Sequence, residues 1–183
     1  MGLRMATQMA LDKFGKQPLR VVEIGVREGK NAIEMLKNLN IKMLYLVDSY
    51  EVYQDGLKYK ATEYYQDIWY KNMFYYMEDY QDKTTLVTKP SMFAVTLFGD
   101  TSLDYVYIDA NHSFDHVKAD IEAWSVKIKQ GGIMGGHDYG NPDYPGVEEA
   151  VKQFCRQTKR ELVVNSSKNE TYEVDKLDWA VII

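Results

Sequence analysis

Apolar positions along this chain follow two rhythms, short β-branched runs and longer stripes at helical spacing. Val21, Val22 and Ile24 form the first run, Gly25 and Gly29 bracket a turn, and Ala32, Ile33, Leu36 and Leu39 then recur on one helix face. A second apolar run, "KMLYLVDSY", ends at Asp48. In "LDYVYIDANHSFDHVKADIEAWSVKIKQGG" a strand ends at Asp109. Val117, Ile121, Trp124 and Ile128 then share a helix face, with Gly131 and Gly132 expected to stop that helix. "IMGGHDY" reads as a strand with a polar end, and "YPGVEEAVKQF" opens a helix striped by Val147, Ala150, Val151 and Phe154. "ELVV" and "WAVII" are the last strands. This alternation predicts an α/β protein, a Rossmann-like doubly wound, mostly parallel sheet in three α/β/α layers. Ligands of such sheets bind outside the carboxyl ends of the strands.

Residues 50–80 break the pattern. They hold most of the chain's fifteen tyrosines, together with Trp69, Met73, Phe74 and Met77. Tyr65, Ile68, Trp69 and Tyr76 fit one helix face, so a helical excursion packed on the sheet is expected. A pocket wall or a dimer surface is the functional alternative, because tyrosine and methionine suit both.

Composition narrows the classes. A length of 183 residues suits one domain, here taken as 1–183, and 45% hydrophobic residues suit a globular core. The net charge of −5, without a dense Lys/Arg run, argues against nucleic acid as a partner. No stretch reaches the roughly 20 apolar residues of a membrane span. The first residues lack a signal-peptide core, so a cytoplasmic location is the expectation. The single cysteine, Cys155, excludes an internal disulfide and cysteine-rich zinc sites.

The chemistry-bearing residues sit just after the strands. Gly25 allows a tight exit from the first strand, and Gly29 lets backbone approach a ligand at the helix start. Glu23 and Arg27 occupy places where a G-x-G-x-x-G fingerprint wants glycine. A carboxylate beneath the turn suits a ligand with an ammonium group better than a pyrophosphate. Asp48, ending the next strand, is placed to accept hydrogen bonds from ribose hydroxyls. "IDANHSFDH" crowds Asp109, His112, Asp115 and His116, and "GGHDYG" adds His137 and Asp138. His112 and His116 have the spacing of zinc helices but lack the glutamate of H-E-x-x-H. Ser113 is a candidate N-cap, and Asp115 and His116 read as parts of the following helix. Asp109, His137 and Asp138 should converge if their strands are neighbours.

"VVEIGVREGKNA", "LYLVDSY", "SLDYVYIDANHSFDHVKADIEAW" and "IKQGGIMGGHDYGNPDYPGVEEAV" together resemble the class I S-adenosylmethionine-dependent methyltransferases. The last two resemble a narrower group, the methyltransferase-24 type, distantly similar to macrolide-sugar and catechol O-methyltransferases. The resemblance implies that Glu23 holds the methionine amino group and that Gly25, Val26 and Gly29 approach the cofactor by backbone. It implies Asn31 near the methionine carboxylate, Asp48 and Ser49 at the ribose, Ser91 near the adenine, and Asp109 beside the transferring methyl. His112 suits a general base. Asp109, His137 and Asp138 form a candidate site for a divalent metal, Mg or Mn, although relatives with a metal carry two acids or an Asp–Asn pair where His137–Asp138 stand here. The expected function is methylation of a small molecule, at the oxygen of a sugar or phenol, with no nucleic-acid or membrane partner and a homodimer as candidate assembly. The alternatives are a non-catalytic module binding S-adenosylmethionine or S-adenosylhomocysteine, and a nicotinamide-dependent oxidoreductase.

Overall fold

The structure is a computed structural model that describes residues 3–55, 59–165 and 177–183. Along the chain run α1 (Met5–Phe14), β1 (Leu19–Ile24), α2 (Lys30–Asn38), β2 (Ile41–Val47), β3 (Tyr53–Asp55), β4 (Tyr59–Ala61) and α3 (Glu63–Met77). There follow β5 (Thr84–Val87), α4 (Ser91–Ala94), β6 (Leu103–Ile108), α5 (Phe114–Ser125), β7 (Ile128–Tyr139), α6 (Pro145–Thr158), β8 (Leu162–Val164) and β9 (Leu177–Ile182).

Seven strands form one sheet in the order β5-β2-β1-β6-β7-β9-β8, and β3 pairs with β4 as a separate hairpin. Strands β5 to β7 are mutually parallel, whereas β9 runs antiparallel to both β7 and β8. Both faces are covered, as the apolar strand runs require. Val21, Tyr105, Tyr107 and Ile133 pack with Ala6, Ala10, Ala32, Met35 and Met73 of α1, α2 and α3. Val22, Ile24, Val106 and Met134 pack with Ala94, Val117, Ile121, Trp124 and Val151 of α4, α5 and α6. This is the expected doubly wound three-layer architecture. Among the described residues no helix is long and apolar enough to cross a membrane.

Three expectations shift. Helix α5 ends at Ser125, and Ile128, Gly131 and Gly132 lie inside β7. The double glycine forms an irregularity there: pairing jumps from Leu103↔Ile128 to Tyr105↔Ile133, and Gly131 takes φ +79°. A bulge needs such a residue as much as a helix end does. Second, the Tyr-rich segment supplies α3, but its buried face is Gln66, Trp69, Met73 and Met77, while Tyr65 is 50% exposed. The methionines seat on α2 and the β1 turn, which rotates the helix away from the tyrosine stripe. Third, α1 was not foreseen, because its stripe consists of small residues. Ala6 and Thr7 pack directly on the sheet, Thr7 sharing a 3.1 Å hydrogen bond with the Tyr105 hydroxyl.

The seat of α1 is Gly135, where an added Cβ would lie 2.4 Å from Ala6 Cβ. Gly135→Ala is therefore expected to lower the unfolding free energy by roughly 1–3 kcal/mol in urea titrations, the usual cost of overpacking. Gly99→Ala, which meets nothing within 4 Å, should stay within about 0.5 kcal/mol of wild type.

Candidate active site

Strand order reverses at β1, so chains leave the adjacent ends of β1 and β6 in opposite directions. Gly25 leaves β1 with φ +84°, and a Cβ at this position would lie 2.0 Å from the Asp109 carbonyl oxygen. Only glycine allows that approach. The Asp109 N–H donates back to the Ile24 carbonyl at 2.8 Å. The turn of β1 and the end of β6 are thus locked together.

Glu23 lies next to this lock and is 2% exposed. Its Oε1 accepts from Asn31 Nδ2 at 2.9 Å, and its Oε2 is buried without a partner among the described residues. Burial pushes the carboxyl up to about 8, with the Asn31 bond opposing and Asp109 reinforcing. A buried, unpaired carboxylate oxygen is costly until a cationic donor reaches it. Asn31, expected at a ligand carboxylate, gives one of its two amide hydrogens to Glu23.

Asp48 follows β2. Its carboxylate accepts the backbone N–H groups of Arg27 at 2.8 Å and Tyr50 at 2.9 Å. Burial raises its pKa, and these bonds work against that rise. Arg27 takes φ +54°, and its guanidinium lies 4.5 Å above the Trp69 ring. Tyr50 Oη donates to the Arg27 carbonyl at 2.8 Å. Val26 is buried against α2 and α3, and Gly29 caps α2 in the left-handed region. Ser49 Oγ accepts the Glu51 N–H at 3.3 Å. Ser91 heads α4, but its hydroxyl donates to Asp120 at 2.5 Å and accepts from Trp124 Nε1 at 2.8 Å. That side chain is tied to α5.

Asp109 and His112, just after β6, converge with His137 and Asp138 in the last residues of β7. His112 Nε2 lies 3.0 Å from Asp138 Oδ2 and 3.4 Å from Asp109 Oδ1. His137 Nδ1 lies 3.1 Å from Asp138 Oδ2 and 4.0 Å from Asp109 Oδ2. Ligand atoms of Asp109, His137 and Asp138 all fall within 4.8 Å of one another. Asp138 reaches this position through an irregularity in the β7–β9 pairing, at φ +59°. Burial acts to raise its pKa, but hydrogen bonds from His112, His137 and Asn141 outweigh it and hold the carboxyl well below the usual range.

Two residues of this site were not foreseen. Asn141 Nδ2 donates to Asp138 Oδ1 at 2.6 Å, which turns Oδ2 toward the histidines. The Tyr144 ring stacks on His112, with centroids 4.2 Å apart and planes 17° from parallel. Their one sequence signal was the turn "GNPDYPG" before α6. His116, by contrast, shares a 2.7 Å hydrogen bond with Ser113 at the start of α5. Because His112 precedes that helix, the two histidines do not form a helical zinc pair.

A family model described as a methyltransferase domain, the methyltransferase-24 type, matches residues 22–139. No curated protein sequence matches the chain significantly. Among solved structures, an O-methyltransferase from Bacillus cereus in complex with SAH superposes with a TM-score of 0.69 at 13% identity, covering 97% of this chain and 80% of that one. An rRNA methylase from Streptococcus thermophilus gives 0.69 at 12% identity, with 97% and 93% covered. Spermidine synthase from Thermotoga maritima gives 0.64 at 14% identity, covering 98% of this chain and 57% of that one. At these identities the likeness is one of fold, and one fold hosts many activities.

Glu23 predicts a pH signature. Below about pH 4.5 its carboxyl is neutral in folded and unfolded chains alike. As pH rises toward about 8 the unfolded chain ionises while the folded chain keeps its proton, so stability falls across that window. At about 1.4 kcal/mol per pKa unit the loss amounts to a few kcal/mol. Glu23→Gln should flatten this slope in urea titrations at pH 5 to 8; an unchanged slope would contradict the assignment.

Proposed function

The chain belongs to the methyltransferase-24 type of S-adenosylmethionine-dependent methyltransferases, and we propose that it methylates a hydroxyl of a small molecule, a sugar or a phenol. The observation that supports this reading most is the convergence of Asp109, His112, His137 and Asp138 beside the strand that carries the orphan oxygen of Glu23.

The residues around the β1 turn fit the cofactor. Glu23 Oε2 suits the methionine ammonium, which would supply its missing partner and favour the charged carboxylate. Asp48, with Ser49 beside it, suits the ribose hydroxyls. Gly25, Val26 and Gly29 offer backbone, and Ser91 stands after β5 on the adenine side, its hydroxyl committed elsewhere. S-Adenosylmethionine supplies a methyl group already activated by its sulfonium.

The protein's work is then alignment and proton removal. Orientation alone supplies about 7–11 kcal/mol of barrier lowering in well-aligned displacements. With that methyl transferred from sulfur to the acceptor oxygen, the hydroxyl proton would need a base, and His112 would take it. Asp138 and Asp109 flank the imidazolium so formed, and the Tyr144 ring covers its face. Asp109, His137 and Asp138 fit a divalent cation, and an imidazole beside two carboxylates favours Mn²⁺ over Mg²⁺. Such an ion would orient the acceptor oxygen and lower its pKa. The net charge of −5, without a dense Lys/Arg run, favours a small molecule over a nucleic-acid substrate in this reading.

Calorimetry with S-adenosylmethionine, and turnover across a panel of sugars and phenols, test the reading. His112→Ala is expected to keep cofactor affinity and to lose on the order of 10²–10⁴ in turnover. Asp48→Ala should weaken cofactor binding at least tenfold, about 1.4 kcal/mol, whereas His116→Ala leaves both properties near wild type. Turnover unchanged by excess EDTA would remove the metal from the reading. Failure of the wild-type chain to bind S-adenosylmethionine would remove the reading itself.

A further inference from the structure

The cofactor's methionine carries a carboxylate as well as an ammonium, and the candidate site is crowded with acids. Asn31 spends one amide N–H on Glu23, and the neutral amide that remains does not balance a carboxylate's charge. Sheet alternation identifies where a cationic partner must stand. Glu23 pairs with Tyr107, and Tyr107 belongs to the core under α1, α2 and α3. By alternation Asp178, two residues before Ala180, faces the same way, and the charges of both Asp178 and Asp109 act on Arg4. Here Asp178 accepts from Tyr107 Oη at 3.0 Å and caps α1 by accepting the Met5 N–H at 2.7 Å. The first turn of α1 therefore stands at the carboxyl edge of the sheet, opposite the first turn of α2.

We propose that Arg4, immediately before α1, binds the carboxylate of the cofactor's methionine; the inference rests on the cofactor reading above. Arg4 Nη1 makes a long 3.4 Å contact with Asp178 Oδ1, an oxygen Tyr107 already serves. Its side chain is 28% exposed. The planar fork of guanidinium donors matches a carboxylate in two parallel hydrogen bonds. Neighbouring cations are engaged elsewhere: Arg27 lies over Trp69, and Lys30 pairs with Glu28. Burial works against the Arg4 charge, but Tyr107, Asp178, Asp109 and Asp138 outweigh it and raise its pKa. Arg4 thus stands in the field of the same acids that form the candidate active site, as the positive pole that a zwitterionic amino-acid moiety lacks beside Glu23.

The test compares S-adenosylmethionine with decarboxylated S-adenosylmethionine, which differs only in that carboxylate. Wild type should bind the carboxylated ligand roughly tenfold or more tightly by calorimetry. Arg4→Gln should lose most of this preference, with affinity for the decarboxylated ligand unchanged. Arg4→Lys should keep part of it, because charge survives while the fork is lost. Urea titration checks that both variants remain folded, and Arg4→Lys carries the comparison should Arg4→Gln unfold. Equal weakening of both ligands in the variants, or no weakening of either, overturns the assignment and makes Arg4 part of the α1 anchor only. Wild type that binds neither ligand overturns the cofactor reading. Wild type that binds both equally overturns the Arg4 assignment alone.

Discussion

The site depends on one approach of backbone to backbone that only glycine permits. Gly25 presses its α-carbon against the Asp109 carbonyl at the point where β1 and β6 release their loops. No side chain fits there. This contact fixes two turns that belong to different halves of the chain, with Glu23 and Asp48 on one side and Asp109 and His112 on the other. The sheet around it is covered on both faces, so neither turn can relax by moving its strand. A cleft placed at a reversal of strand order follows from connectivity; the rigidity of this cleft follows from one missing methyl group.

Electrostatics then divides the acids by role. Glu23 and Asp138 are both buried, at 2% and 4% exposure. They differ in what surrounds the charge. Asp138 accepts hydrogen bonds from Asn141 and stands against two histidines, and these interactions exceed its desolvation, so it stays ionised. Glu23 has one amide and one bare oxygen, and desolvation prevails. Environments that push two carboxyls apart in pKa assign them different tasks. The low one is a permanent anion that can hold an imidazolium or a cation. The high one is a group whose charge awaits a cationic partner.

The fold was legible because strand runs, glycine turns and helical stripes agree with one another. The convergence of Asp109 with His137 and Asp138 was legible for the same reason, since neighbouring parallel strands deliver their polar ends together. Two kinds of feature were not. Helix α1 is held by small residues, Ala6 and Ala10, against Gly135, and close backbone contact leaves no hydrophobic stripe to read. Asn141 and Tyr144 act through a turn whose geometry depends on Asp138 adopting φ +59°, a choice that short-range propensity does not dictate. Helix α3 shows a third limit: Trp69 is buried as expected, but Gln66 and the methionines, not Tyr65, share its face.

That rotation bears on how ligand reaches the site. Trp69 carries the Arg27 guanidinium, Tyr50 holds the Arg27 carbonyl, and Asp48 holds the Arg27 N–H. Three contacts thus fasten one residue of the β1 turn to the segment that follows β2. Arg27 takes a left-handed φ of +54°, which costs on the order of 1–3 kcal/mol and which these contacts offset. Asp48 is therefore already used by the protein, and under the proposed reading ribose hydroxyls would share its oxygens with the Arg27 and Tyr50 amides rather than find them bare. Sharing is chemically sound, because a carboxylate offers about four acceptor positions. Its consequence is mechanical: under the proposed reading the carboxylate that would meet the nucleoside also holds the Arg27 turn, so both ends of the cofactor would be registered against a single side chain.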